Sequence, residues 1–141
     1  MAKTSPGLVV ADAGPLIHLD ELLALDVLSD FVAVLVPNAV YIEVHRHRPQ
    51  ELRQGNIKLV RQSSAPVSEK VNAITALYTL HHGEREALSL CCENGIDQLI
   101  TDDTAARMAA KSLNINAHGT VGLLIRAVRQ KITHTKGRRI E

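Results

Sequence analysis

The chain has 141 residues, of which 45% are hydrophobic, enough for one compact domain with a full core and too few for a second of ordinary size. Aromatic residues are 2% and Trp is absent, so Val, Leu, Ile and Ala must fill the interior, which suits a parallel sheet covered by helices and excludes single-strand binders built on stacked aromatics. A formal charge of +1 supplies no global attraction to nucleic acid or to a membrane surface.

In chain order, Gly7 to Ala11 is a short Val-rich run that reads as a buried strand ending at Asp12, before the Gly14-Pro15 break. LIHLDELLALDVL follows as a helix with Leu16, Leu19, Leu23 and Leu22 as its apolar stripe, and FVAVLVP closes a second strand at Pro37. Asn38 is a candidate N-cap for the helix AVYIEVHRH, in which Ala39 and Val40 lie one turn before Glu43. ELRQG suggests a turn of helix and Ile57 to Val60 a short strand. Val67 to Leu80 has helical periodicity, His81-His82-Gly83 interrupts it, and Glu84 to Glu93 forms the next helix, ended by Gly95. DQLIT is a strand, TAARMAAKSL a helix and INAH a strand. TVGLLIRAVRQ is a final helix, with Val121, Leu124, Ile125 and Val128 at i, i+3, i+4, i+7. Such alternation implies a doubly wound α/β domain over residues 1–130, with ligands bound beyond the carboxyl ends of the strands, and a basic tail over 131–141.

Acidic residues recur at that edge. Asp12 and the pair Asp102 and Asp103 each follow a strand, Glu84 opens a helix, and Glu43 rides mid-helix above an apolar stripe where acids normally face water. Each has an ordinary alternative: Asp12 and either Asp of the pair can cap the next helix, and an acid in a first turn is favoured by the helix dipole. At about 100° per residue, Glu84 shares a side with Ala87, Leu88 and Cys91, whereas Glu86 points away from it. Which of Asp102 and Asp103 reaches the cleft and which caps stays open. Carboxylates converging in a cleft repel one another unless a divalent cation neutralises them, and an all-oxygen set favours Mg²⁺ or Mn²⁺. Two ions, or one ion with an acid as general base, could hydrolyse a phosphodiester.

His45, His47, His81 and His82 lack the spacing of a zinc site, and His18 reads as a packing residue. GxxxxGK[ST], GxGxxG and GxSxG are all missing, which removes NTPase, dinucleotide and serine-hydrolase readings. Thr120 after Gly119 is a candidate N-cap. Arg46 and Arg48 with His45 and His47, and Lys131, Lys136, Arg138 and Arg139 in the tail, form basic clusters able to rest on phosphates or simply to meet water. Cys91 and Cys92 make no CxxC motif. No run approaches the about 20 apolar residues of a membrane span, and MAKTSPGLVV lacks a long apolar core; a soluble cytoplasmic protein is expected.

VVADAGPLIHL, PNAVYIEV, GEREALSL, LITDDTAARMAAKSL and GTVGLLIRA together resemble the PIN-domain family, metal-dependent nucleases that include VapC-type toxins, and in particular a bacterial and archaeal branch with GExEA, DD or DE, and GT-x-G-L-L motifs. The resemblance implies a Rossmann-like three-layer α/β/α fold with a central mostly parallel sheet. It implies Mg²⁺- or Mn²⁺-dependent cleavage of RNA, homodimers, and restraint by a small antitoxin protein. Asp12, Glu43, Glu84 and Asp103 or Asp102 match the family's four acids. Many relatives carry Ser or Thr after the first acid where this chain has Ala13 and Gly14, and many have Asp as the third acid, where GEREA offers Glu84 and Glu86. The competing expectation is a non-catalytic module whose acids cap helices while its basic segments hold RNA or protein. A small-molecule phosphohydrolase is disfavoured because no DxD follows the first strand.

Overall fold

A computed structural model describes residues 7–47, 57–63 and 67–140, with side chains through Lys131. The strands are β1 (Leu8–Ala11), β2 (Ala33–Pro37), β3 (Leu59–Gln62), β4 (Gln98–Ile100) and β5 (Asn116–His118). The helices are α1 (Ala13–Glu21), α2 (Asn38–His47), α3 (Glu69–Thr75), α4 (His82–Asn94), α5 (Thr104–Ser112) and α6 (Thr120–Ile140), with a 3₁₀ turn at Leu25–Leu28. All pairings are parallel and the strand order is β3-β2-β1-β4-β5. The expected three-layer α/β/α architecture is therefore present.

The central strands are apolar at successive positions because both faces are covered. Val10, Ala33, Leu35 and Leu99 face a core completed by Val71 of α3, Ala87, Leu88 and Cys91 of α4, and Ala106, Ala109 and Ala110 of α5. Val9, Ala11, Val34, Val36 and Ile100 face the opposite core, with Leu16 and Leu19 of α1, Leu25 and Leu28, Val40 and Val44 of α2, and Leu123 of α6. The order of strands reverses direction between β1 and β4, so the crevice expected of a doubly wound sheet opens beyond Ala11 and Ile100, at Asp12 and at Thr101 to Asp103.

Several local expectations change. The first helix starts at Ala13, three residues earlier than expected, because Asp12 caps it and Pro15 falls in its first turn, where a missing N–H costs nothing. It ends where Leu23 adopts φ 56°, and Leu22 and Leu23 are exposed rather than part of the buried stripe. The helix expected over Val67 to Leu80 shortens to α3: Ser68 caps it through the Val71 amide, and Leu77 lies exposed beyond its end. Along α6 the i, i+3, i+4, i+7 series faces outward at Val121, Ile125 and Val128, while Leu123 is the buried residue. Helix α6 also continues past Gln130 to Ile140. The ELRQG turn, Arg48 and the side chains of Lys136, Arg138 and Arg139 lie outside the described residues. Among the described residues no helix is long and apolar enough to cross a membrane.

Candidate functional site

The parallel sheet brings the N-termini of five helices, α1, α2, α4, α5 and α6, to its carboxyl edge, and an acidic side chain accepts a hydrogen bond from a backbone amide at each of them. Such a cap satisfies one orphan donor and places negative charge at the positive end of the helix dipole. The caps differ in what they leave uncommitted.

Asp12 is fixed first. Its amide donates to the Ile100 carbonyl at 2.8 Å, extending the β1–β4 pairing by one residue, and the side chain is buried. Oδ1 accepts from the Ala13 amide at 2.9 Å and Oδ2 from the Thr101 hydroxyl at 3.0 Å. The same hydroxyl accepts the Asp103 amide at 3.2 Å, so one fully buried threonine ties the acid after β1 to the acids after β4. Burial raises the pKa of Asp12, against the lowering effect of its two hydrogen bonds, and repulsion from Glu43 and Asp103 raises it further.

Glu84 is the side-chain half of a capping box: its Oε1 accepts from the His81 amide at 2.8 Å. Burial raises its pKa too, with Asp12 and Asp103 repelling the charged form. Helix α4 reaches this close because residue 83 is glycine; a Cβ there would stand 3.3 Å from Val40 Cγ2 and 4.0 Å from Asp12 Oδ1. Asp103 caps α5, with Oδ2 accepting from the Ala106 amide at 2.8 Å. Glu43 lies on the exposed side of α2, whose start is pinned by Arg61: its Nε donates to Asn38 Oδ1 at 2.8 Å and its guanidinium lies 4.3 Å over the Tyr41 ring. Glu84 Oε2, Asp103 Oδ1 and both carboxylate oxygens of Glu43 have no hydrogen-bond donor among the described residues.

The electrostatics thus link Asp12, Glu43, Glu84 and Asp103 at one edge. Asp102 faces elsewhere. Its Oδ1 accepts from the Thr120 amide at 2.7 Å, its Oδ2 from the Thr120 hydroxyl at 2.6 Å, and the His18 ring stands 3.3 Å from Oδ2. Burial opposes ionisation there, but the Thr120 bonds and His18 outweigh it and lower the pKa. Thr120 therefore donates to Asp102 rather than capping α6 with its own oxygen, and His18, with a side chain 54% exposed, is not a packing residue. Gly119 makes room for this corner, since a Cβ there would lie 2.9 Å from Asp102 Oδ1.

Glu86, whose helical angle points away from the side of Ala87, Leu88 and Cys91, is buried between α4 and α2. Its Oε1 accepts from the Ala39 amide at 3.1 Å and its Oε2 lies 2.9 Å from His82 Nε2. It, not Asn38, serves the α2 terminus. Nothing in the local pattern exposes this, because the partner amide is 47 positions away. The residue at this edge that the sequence did not single out is Thr101, whose signal was only that it ends DQLIT beside the acidic pair.

Among the described residues no three His, Cys, Asp or Glu side chains close into a ready metal cage. The donor chemistry nevertheless fits a hard divalent cation. The groups are carboxylates, they repel one another, and Glu84, Asp103 and Glu43 keep oxygens free for a ligand.

A family model for a PIN domain, DUF3368, matches residues 8–140. In structure the chain is similar to a PilT N-terminus domain protein, SSO1118, from the archaeon Sulfolobus solfataricus P2, with a TM-score of 0.59 and 16% identity over 84% of this chain and 92% of that one. It is also similar to PAE2754 from Pyrobaculum aerophilum, with a TM-score of 0.59 and 13% identity over 89% of this chain and 98% of that one. No curated protein matches. At such identities the structural likeness speaks for the fold, and the family match spans nearly the whole length: the chain belongs to the PIN-domain family.

Proposed function

We propose that the protein is a Mg²⁺- or Mn²⁺-dependent endoribonuclease in which Asp12, Glu43, Glu84 and Asp103 hold the cation. PIN domains are generally nucleases. The observation that carries the reading is the division of labour within the capping carboxylates. In Glu84 and Asp103 one oxygen is anchored to a helix amide while the other stays free, beside an Asp12 whose charge they repel.

A bound divalent cation would supply Lewis acidity toward a phosphoryl oxygen and make its bound water easier to deprotonate. The chain's own part is to hold its ligands still. The α1, α4 and α5 caps fix the Asp12, Glu84 and Asp103 headgroups, and the Thr101 hydroxyl ties Asp12 Oδ2 to the Asp103 amide. Glu43, exposed on α2, is left to turn toward the cleft when charge arrives there. Asp102 stays outside the ligand set as the brace that joins α6 to α1.

We also read the protein as the toxin component of a toxin–antitoxin pair, a role supported by the family likeness and tested by capture of a small partner protein. A homodimer is supported by the exposed Val121, Ile125 and Val128 stripe on α6. One second reading has a specific observation in its favour: helix caps are what a non-catalytic RNA- or protein-binding module would use its acids for, and each acid at the helix N-termini does cap. Cleavage of single-stranded RNA in the presence of Mn²⁺ separates the two. The wild type should cleave, and Asp12→Asn should lose at least about 100-fold in rate, since even groups that only support a metal ligand are worth 10–100-fold. Cleavage that persists in that variant would remove the nuclease assignment.

A further inference from the structure

We propose that the groove between α5 and the free edge of β5 is the track along which single-stranded RNA enters the carboxylate site. The proposal rests on the nuclease reading and names the substrate path for that site. The groove has a volume of about 490 Å³ and is lined by Thr104, Arg107, Met108 and Lys111 of α5 and by Ile115 to Ala117. Thr104, Arg107, Met108 and Lys111 are at i, i+3, i+4 and i+7, so they form one continuous face of the helix, about 10 Å long. That face begins at Thr104, immediately after the capping Asp103, so its upper end opens at the carboxylate edge.

The charge on this face selects the occupant. Arg107 and Lys111 are both exposed, and neither has an ion-pair partner among the described residues. They stand one turn apart, about 6 Å along the axis, comparable to the step between neighbouring phosphates of an extended strand. Arg107 reaches the upper end of the groove at the corner formed by Gly119 and His118: its Nη1 would be 3.3 Å from a Cβ on Gly119, and its charge acts on His118 at the end of β5. Two cations in a row leading away from a cluster of anions provide what a polyanion needs on approach, since the acids alone would repel it. A peptide strand adding to the sheet edge is the competing occupant, but β5 offers only three residues of ladder. With no aromatic side chain on the lining, contacts fall on phosphates, so the track is indifferent to base sequence.

The test is fluorescence anisotropy of a 5′-labelled decauridylate with the full chain in EDTA, where binding is read without cleavage. Relative to the wild type, Arg107→Ala/Lys111→Ala should weaken binding about 10-fold or more at 0.1 M salt. It should also flatten the slope of log K against log salt by about 1.4, two phosphate contacts at about 0.7 each. Arg107→Lys/Lys111→Arg should restore both, Lys70→Ala/Arg129→Ala should change neither, and a blunt RNA duplex should compete poorly. An unchanged affinity and slope in the alanine pair, an equal loss in the Lys70/Arg129 control, or capture of an extended peptide but no RNA would each overturn the track. Failure of the nuclease reading is seen separately, as Mn²⁺-dependent cleavage that survives Asp12→Asn.

Discussion

Asp102 and Asp103 are neighbours in sequence and both cap helices, yet they belong to opposite kinds of corner. Around Asp102 the carboxylate is saturated: the Thr120 amide and hydroxyl and the His18 ring hold its oxygens, and together they lower its pKa. Around Asp103 the carboxylate shares an edge with Asp12 and Glu84, keeps Oδ1 free, and adds to the repulsion that, with burial, raises the pKa of those two. The contrast teaches that a carboxylate at a strand end is not thereby a ligand. What distinguishes a candidate ligand is an oxygen left over after the helix has been capped, in company that makes its charge uncomfortable.

The largest expected effect breaks the comparison at its centre. Asparagine caps a helix about as well as aspartate, so Asp103→Asn and Asp102→Asn keep both helix starts while removing one charge each. Asp103→Asn should lower Mn²⁺-dependent cleavage at least about 100-fold with little change in melting temperature. Asp102→Asn should leave cleavage within a few-fold but lose about 1.5–3 kcal/mol of stability in denaturant titration, the usual range for a hydrogen bond to a charged group. The reverse pattern would exchange the roles assigned to the two residues.

Thr101→Val sharpens the link between the two strand ends. It removes the donor to Asp12 and the acceptor of the Asp103 amide in one nearly isosteric change at a fully buried position. About 1–3 kcal/mol of stability should go, with a 10–100-fold loss of cleavage rate; a variant that loses stability alone would make Thr101 purely structural.

The smallest effect is on pH dependence. Asp12 and Glu84, with raised pKa values, contribute stability that is present below the ordinary carboxylate range and lost as pH rises through their raised pKa values. Asp102 contributes in the opposite sense: its stability is present above that range and lost as pH falls through its depressed pKa. Thermal melts should therefore show Asp12→Asn stabilising the metal-free protein at neutral pH relative to acid, with Asp102→Asn flattening the acid side. Identical pH profiles for both variants would contradict the division between the corners.

Much of the fold was legible because parallel strands buried on both faces leave short apolar runs, as in LVVA and AVLVP, bounded by Gly, Pro and helix caps. Asp12, Glu84 and the Asp102–Asp103 pair were legible as strand-end and first-turn residues, since local geometry fixes their place relative to the sheet edge. What local pattern does not encode is which way a neighbour turns: Asp102 went to Thr120, 18 positions on, and Glu86 to Ala39. Periodicity found the α6 helix but not its buried side: the regular stripe of Val121, Ile125 and Val128 faces out and Leu123 packs in. An apolar repeat marks a face without naming what it meets.

The most direct measurement is calorimetric titration of Mn²⁺ into the metal-free protein and into Asp12→Asn. Uptake by the wild type at micromolar to low millimolar concentrations, lost in the variant while its fold persists, is the expected result. A wild type that takes up no Mn²⁺, or a variant that binds it unchanged, would contradict a shared cation at this edge.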